Sequence, residues 1–188
     1  EPPVDKELVV QSLTDTMAKF TSYIGKRLPK DVKSKLIELK TLETNPLAKS
    51  IYDSMDENQE AADRLNRPSC QDTGVIQYFV EAGAHFPLLG ELQEILREAT
   101  EEATRTGPLR HNAVETFDEK NTGTNTGTQI PWLDWRIVPE QDTCTIDVYM
   151  AGGGCTLPGA ARVLLPGQGY KSVAGYVMNV ITDRGVKA

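Results

Sequence analysis

The sequence predicts an α/β (α+β) protein, with an N-terminal helical arm over residues 1–66 and a mixed sheet with flanking helices over residues 67–188. Three observations carry this. Apolar residues in the first third recur at helical spacing. From residue 67 onward, β-branched and aromatic runs alternate with one strongly amphipathic helix. Proline and glycine stand at the joints between these segments.

In chain order, Asp5 is a plausible N-cap for a helix whose apolar stripe is Leu8, Val9, Leu13, Met17, Phe20 and Ile24. Lys26 and Arg27 suit its C-terminal end, and Pro29 breaks it. A second helix from about Asp31 carries Val32, Leu36, Leu39 and Leu42. A third from Pro46 carries Leu47, Ile51, Met55 and Ala62 until Asn66-Arg67-Pro68 stops it. Val75–Val80 reads as a largely buried strand. Residues 90–104 read as a helix with Leu92, Ile95, Leu96 and Ala99 inward, closed by Gly107-Pro108. Residues 131–139 read as a strand flanked by prolines. Thr143–Met150 reads as a half-buried strand with Cys144, Ile146 and Val148 on one face, and residues 169–184 as a closing helix.

A length of 188 residues suffices for one good-sized core, and the composition, 39% hydrophobic and 25% charged, is that of a globular chain. A formal charge of −7 argues against a nucleic-acid module but leaves room for a local arginine cluster that binds a small anion. No apolar run is long enough to cross a bilayer, and neither an export signal nor an initiator Met is visible, so a processed or trimmed cytoplasmic protein is expected. Three cysteines, Cys70, Cys144 and Cys155, then read as reduced thiols, at spacings that match no local zinc motif.

Polar, loop-like segments in the second part could carry chemistry. Cys70-Gln71-Asp72-Thr73-Gly74 places a thiol beside an amide and a carboxylate. An exposed Cys70 would be a metal ligand or a nucleophile, Gln71 could donate and accept, and Asp72 could take a proton. A helix-to-strand turn with a buried thiol explains the same residues. Arg110 has the fork geometry for a carboxylate, and His111 beside it is equally compatible with a structural role. The Asn/Thr/Gly run over residues 121–127 could wrap a site or simply be a surface loop. Gly152, Gly153 and Gly154 could direct backbone N–H groups at an anion, or form a bulge. Together these groups suit a small carboxylate.

The same segments, RPSCQDTG, then PLRHNAVE with NTGTNTG, then YMAGGGCTLPG, in that order, carry a resemblance. It covers essentially the whole chain, the PLLGELQ segment included. The sequence resembles the α subunit of the iron–sulfur class I hydro-lyases, the class I fumarases and L(+)-tartrate dehydratases, with GGGCTLPG most similar to the two-subunit tartrate branch. The resemblance implies a fold like the N-terminal domain of the class I fumarases, present as a single domain truncated at its C-terminus. It implies dehydration of a hydroxy-dicarboxylic acid at a [4Fe–4S] cluster, and assembly with a β subunit as an oligomer. By position Cys70 is a cluster ligand, Gln71 and Asp72 touch the substrate or handle protons, Arg110 clamps a carboxylate, and Gly152, Gly153 and Gly154 give backbone contacts. The family's other ligands lie further along, one in a Cys-Pro-Pro turn expected just past Ala188. The fragment is therefore expected to be inactive alone and to lack the cluster, and the alternative reading of a different class is a non-catalytic module whose helical arm mediates assembly. Cys144, which sits mid-strand, and Cys155, on the glycine loop where the family has no ligand, are not substitutes for those ligands.

Overall fold

The computed structural model describes residues 5–107, 109–156 and 158–185. Pro108 and the side chain of Cys155, both named above, lie outside what it describes. The Asp5 side chain accepts the Glu7 N–H at 3.0 Å and opens α1 (Lys6–Ile24), supplying a partner to one of the amides that a helix start leaves unpaired. The buried face of α1 follows the predicted stripe only in part: Met17 is buried and Leu13 packs against the core. Thr14, Met17, Ala18, Thr21 and Ser22 are buried, while Leu8 and Phe20 are exposed. The cause is the partner. α1 packs on α4 (Leu92–Thr106), whose inner face carries Ala99, Thr100 and Ala103, and small residues on both helices let the backbones approach closely. Gly107 follows from this closeness: a Cβ there would lie 2.1 Å from Ser22 Oγ.

The next helices, α2 (Lys30–Leu42) and α3 (Pro46–Leu65), start and stop where the sequence places them. Asn45 accepts the Leu47 N–H at 2.9 Å, Pro46 occupies the first turn, and Asn66 ends α3 in the left-handed region at φ 51°. Their apolar stripes, however, are largely uncovered. α2 buries no residue, and Val32, Leu39, Leu42, Leu47, Ile51 and Met55 are all exposed. What joins the two is polar: Lys40 Nζ lies 2.7 Å from both Asp53 and Asp56, which hold its ammonium in the charged form.

β1 (Val75–Gly83) is the central strand of a three-stranded sheet ordered β4–β1–β5, with β4 spanning Trp132–Val138 and β5 Cys144–Ala151; the short strands between, β2 (Val114–Glu115) and β3 (Lys120–Asn121), pair antiparallel with each other. Ile76, Tyr78, Val80 and Ala82 alternate inward into the core formed with α1 and α4. β1 and β4 run parallel, with Tyr78 opposite Leu133 and Val80 opposite Trp135. The crossover between them contains α4, as a parallel pair requires. On the other side Gly83 N–H donates to Thr143 O at 2.8 Å and His85 N–H to Gln141 O at 2.9 Å. Numbers rise on one chain and fall on the other, the antiparallel sense, so the sheet is mixed. At Gly83 a Cβ would sit 2.1 Å from the Gln141 carbonyl oxygen, which is why a glycine ends the strand. Cys144, Ile146 and Val148 share the face packed toward the core, as their alternation predicts.

Residues up to Met150 form one compact unit and those from Ala151 a second. The first unit thus takes in both the helices of the predicted arm and the sheet. The second holds a single helical turn, α5 (Gly153–Thr156), and α6 (Gly169–Val180). A π-helical turn over Ile181–Gly185 finishes the helix predicted to run to residue 184, and Arg184 there donates to the Gly159 carbonyl at 2.7 Å.

Candidate active site

After α3 the chain is pinned before it reaches the thiol. Ser69 N–H donates to Gly25 O at 3.2 Å, and Asn58 Nδ2 donates to Ser69 O at 2.6 Å. Cys70 and Gln71 are exposed, so the turn with a buried thiol is not what forms. The Asp72 N–H points at Cys70 Sγ from 3.5 Å, and Sγ lies 3.6 Å from Gln71 Oε1. Asp72, half-buried, accepts the Gly74 N–H on Oδ1 at 2.8 Å. Gly74 has φ 74°, a left-handed conformation that glycine adopts without a Cβ penalty.

Thr73 links this turn to the arginine. Its Oγ1 accepts the Arg110 N–H at 3.1 Å, and lies 3.2 Å from Asn112 Oδ1 and 3.3 Å from Arg110 O. Asn125 completes the link from the other side. Its Oδ1 accepts the N–H groups of Asn112 at 2.9 Å and Ala113 at 3.3 Å, while its Nδ2 donates to Arg110 O at 2.8 Å and to Thr104 Oγ1 at 3.1 Å. The 121–127 segment is therefore neither a plain surface loop nor a flexible wrap. Asn125 and Thr126 are buried, and Thr126 Oγ1 donates to Glu101 at 3.0 Å.

Arg110 itself is exposed and lines a cleft of about 1140 Å³ that also presents Arg67, Arg105, His111 and the carboxylates of Glu98, Glu101 and Glu102. Glu101 is paired with Arg97 and Glu102 with Arg105. Among the described residues neither Arg67 nor Arg110 makes an ion pair, so two guanidinium groups remain to meet an anion. Cys70, Gln71 and Asp72 do not line the cleft; Thr73 ties their turn to its arginine. The glycine segment belongs to the second unit, where Gly152 O accepts the Thr156 N–H at 3.0 Å and closes the α5 turn.

The family described as fumarate hydratase (Fumerase) matches residues 14–188. The chain belongs to the fumarate hydratase family. Among curated relatives, the L(+)-tartrate dehydratase subunit alpha of Escherichia coli K12 is 53% identical over 184 residues, which is 98% of this chain and 61% of the relative. The same subunit from Escherichia coli UTI89 is 54% identical over the same extent. A protein of Methanocaldococcus jannaschii that carries the subunit's name provisionally is 29% identical over 167 residues, 85% of this chain and 57% of the relative. The chain thus spans about three fifths of the length of the relatives it matches.

For a fumarate hydratase family chain the fit to an iron–sulfur cluster turns on its thiols. Cys70 suits a ligand, being exposed on a turn whose backbone directs an N–H at the sulfur. Cys144 does not: it is half-buried on β5, where burial pushes its thiol pKa up. Among the described residues no three His, Cys, Asp or Glu side chains cluster as metal ligands. No helix of the described residues is long and apolar enough to cross a membrane. Sequence reasoning missed Thr73, Thr104 and Asn125. The available signal was the second Asn of the NTGTNTG run, since Asn tolerates the left-handed φ of 59° that Asn125 adopts.

Proposed function

We propose that this chain is part of the α subunit of an iron–sulfur hydro-lyase that converts L(+)-tartrate to oxaloacetate and water. The observation that carries the reading is the Arg110 segment, held by Thr73 directly against the CQDTG turn and opening on a cleft with two guanidinium groups that make no ion pair among the described residues. The 53% identity to an L(+)-tartrate dehydratase subunit alpha supports tartrate over fumarate. Fumarate/malate interconversion is the second reading, supported by the family itself.

In this reading Arg110 grips a substrate carboxylate as a bidentate pair, which orients the dicarboxylate relative to the turn. Gln71, exposed next to the thiol, hydrogen-bonds the substrate, and the Asp72 carboxylate receives or returns a proton. Gly152, Gly153 and Gly154 contribute backbone contacts. Cys70 is one ligand of the [4Fe–4S] cluster, and the other ligands come from the rest of the protein. When bound, such a cluster supplies a Lewis acid for the departing hydroxyl. The reaction removes a hydrogen from one carbon and the hydroxyl from its neighbour, and the resulting enol rearranges to the keto acid. The complete enzyme works in the cytoplasm as an oligomer with a β subunit, and the 188-residue chain alone is inactive and holds no cluster.

Oxygen-free reconstitution of the complete α and β protein with iron and sulfide, assayed on both substrates, tests this. Tartrate is expected to be consumed with the higher kcat/KM. Malate formed from fumarate far faster than tartrate is lost would reverse the order.

A further inference from the structure

We infer that Asn125 is a positioning residue for substrate binding, acting through Arg110. The inference rests on the reading of Arg110 as the carboxylate clamp. Both backbone polar groups of Arg110 are held by side chains from other parts of the chain: its N–H by Thr73 at 3.1 Å and its carbonyl by Asn125 at 2.8 Å. Asn125 grips the following two residues as well, through the N–H groups of Asn112 and Ala113. One buried amide therefore fixes the path of the backbone on which the exposed guanidinium is mounted, and a fourth bond, to Thr104 Oγ1, fastens that amide to α4.

The arrangement is suited to reducing the cost of binding. A long exposed arginine loses rotamer freedom when it grips a carboxylate, and a base that also wandered would add to that loss. With the Cα–Cβ direction set beforehand, only the side chain has to be ordered. Removing the Asn125 amide should leave the guanidinium in place chemically but deliver it less often to the bound geometry.

The φ of 59° at Asn125 makes the test clean, because glycine adopts that conformation freely and Asn125→Gly removes the amide without forcing the backbone. In the complete reconstituted enzyme, with L(+)-tartrate and with fumarate, Asn125→Gly is expected to raise KM about tenfold while kcat changes less. The Kd for L(+)-tartrate, measured calorimetrically, should rise in step. Asn125→Asp, which keeps the acceptor for both N–H groups but sets an oxygen against the Arg110 carbonyl and Thr104 Oγ1, should raise KM at least as much as Asn125→Gly. In an Arg110→Ala background, Asn125→Gly should add little, since residues that act through one another are not additive. A lower Tm with KM and Kd unchanged in Asn125→Gly would overturn the inference, as would effects of the two substitutions that multiply. If Arg110→Ala itself leaves KM and Kd unchanged, the clamp reading falls first and takes this inference with it.

Discussion

The Arg110 segment and the Cys70 turn are linked through Thr73, yet they rest on different parts of the molecule. Arg110 is tied inward. Asn125 joins it to Thr104 on α4, Thr104 donates to Thr100 O, and the Thr100 hydroxyl meets the Tyr78 hydroxyl at 3.0 Å in the middle of β1. Every one of these supporting side chains is buried. The Cys70 turn is tied outward, to the last turns of α3 through Asn58 and to the end of α1 through Gly25. α3 in turn lies beside α2, which buries nothing. The part that would grip a carboxylate is thus built into the core, while the part that would hold a metal cluster projects from the end of a thinly covered hairpin. A carboxylate clamp depends on fixed geometry for its affinity. A cluster ligand can be drawn into place by the other ligands when the metal binds.

Substitutions on each side should therefore separate function from stability. Cys70→Ser in the complete enzyme should abolish turnover and lower the iron and sulfide content, with unfolding stability changed by no more than about 0.5 kcal/mol because the thiol is exposed. Cys144→Ser should show the opposite, a stability loss on the order of 1 kcal/mol with the cluster retained. Iron analysis alongside chemical denaturation distinguishes them, and a Cys144 variant that is stable but iron-free would break the contrast.

Tyr78→Phe tests the inward support. Removing a buried hydroxyl that lies 3.1 Å from Thr21 and 3.0 Å from Thr100 should cost about 1–3 kcal/mol in denaturant unfolding. Burial raises the pKa of Tyr78, so its phenolate is disfavoured in the folded state. That contribution is intact below the unfolded tyrosine value of about 10 and is lost as pH rises through the folded value. The unfolding free energy of the unaltered protein should therefore fall above about pH 10 more steeply than that of Tyr78→Phe. Equal slopes would mean Tyr78 is not the group responsible.

The smallest effect is expected on the outer side. Lys40→Ala removes the cation between Asp53 and Asp56 and should speed amide exchange in α2 and α3, with exchange around Arg110 unchanged. Faster exchange at Arg110 would show that the two supports are not separate.

The legible part of the fold was the part governed by local rules. Asp5, Asn45-Pro46 and Asn66 announce helix ends, and the alternation of Cys144, Ile146 and Val148 announces its buried face. The face of α1 was legible only at Leu13 and Met17, because Thr14, Ala18 and Thr21 are buried for being small, a property that hydrophobic spacing does not register. Of the candidate site, Cys70, Asp72 and Arg110 could be singled out by their chemistry. The second Asn of the NTGTNTG run hinted at a left-handed turn at Asn125, but not at a buried amide, since a run of Asn, Thr and Gly looks the same whether its amides meet water or backbone. Only the fold decides that.

The buried hydroxyls between α1 and the 121–127 segment also fix where protons lie. Each hydroxyl has one hydrogen to give. Thr100 gives its own to Leu96 O, so at the shared contact Tyr78 must be the donor, and Thr21 must then donate to Tyr78. Thr104 gives its hydrogen to Thr100 O, so it can only receive from Asn125. Two one-way relays of donors, one from α1 and one from the loop, therefore converge on the carbonyls of α4. Reversing the Asn125 amide would set oxygen against the lone pairs of Thr104 and NH₂ against the N–H groups of Asn112 and Ala113. The polarity of the relay leaves that amide a single orientation.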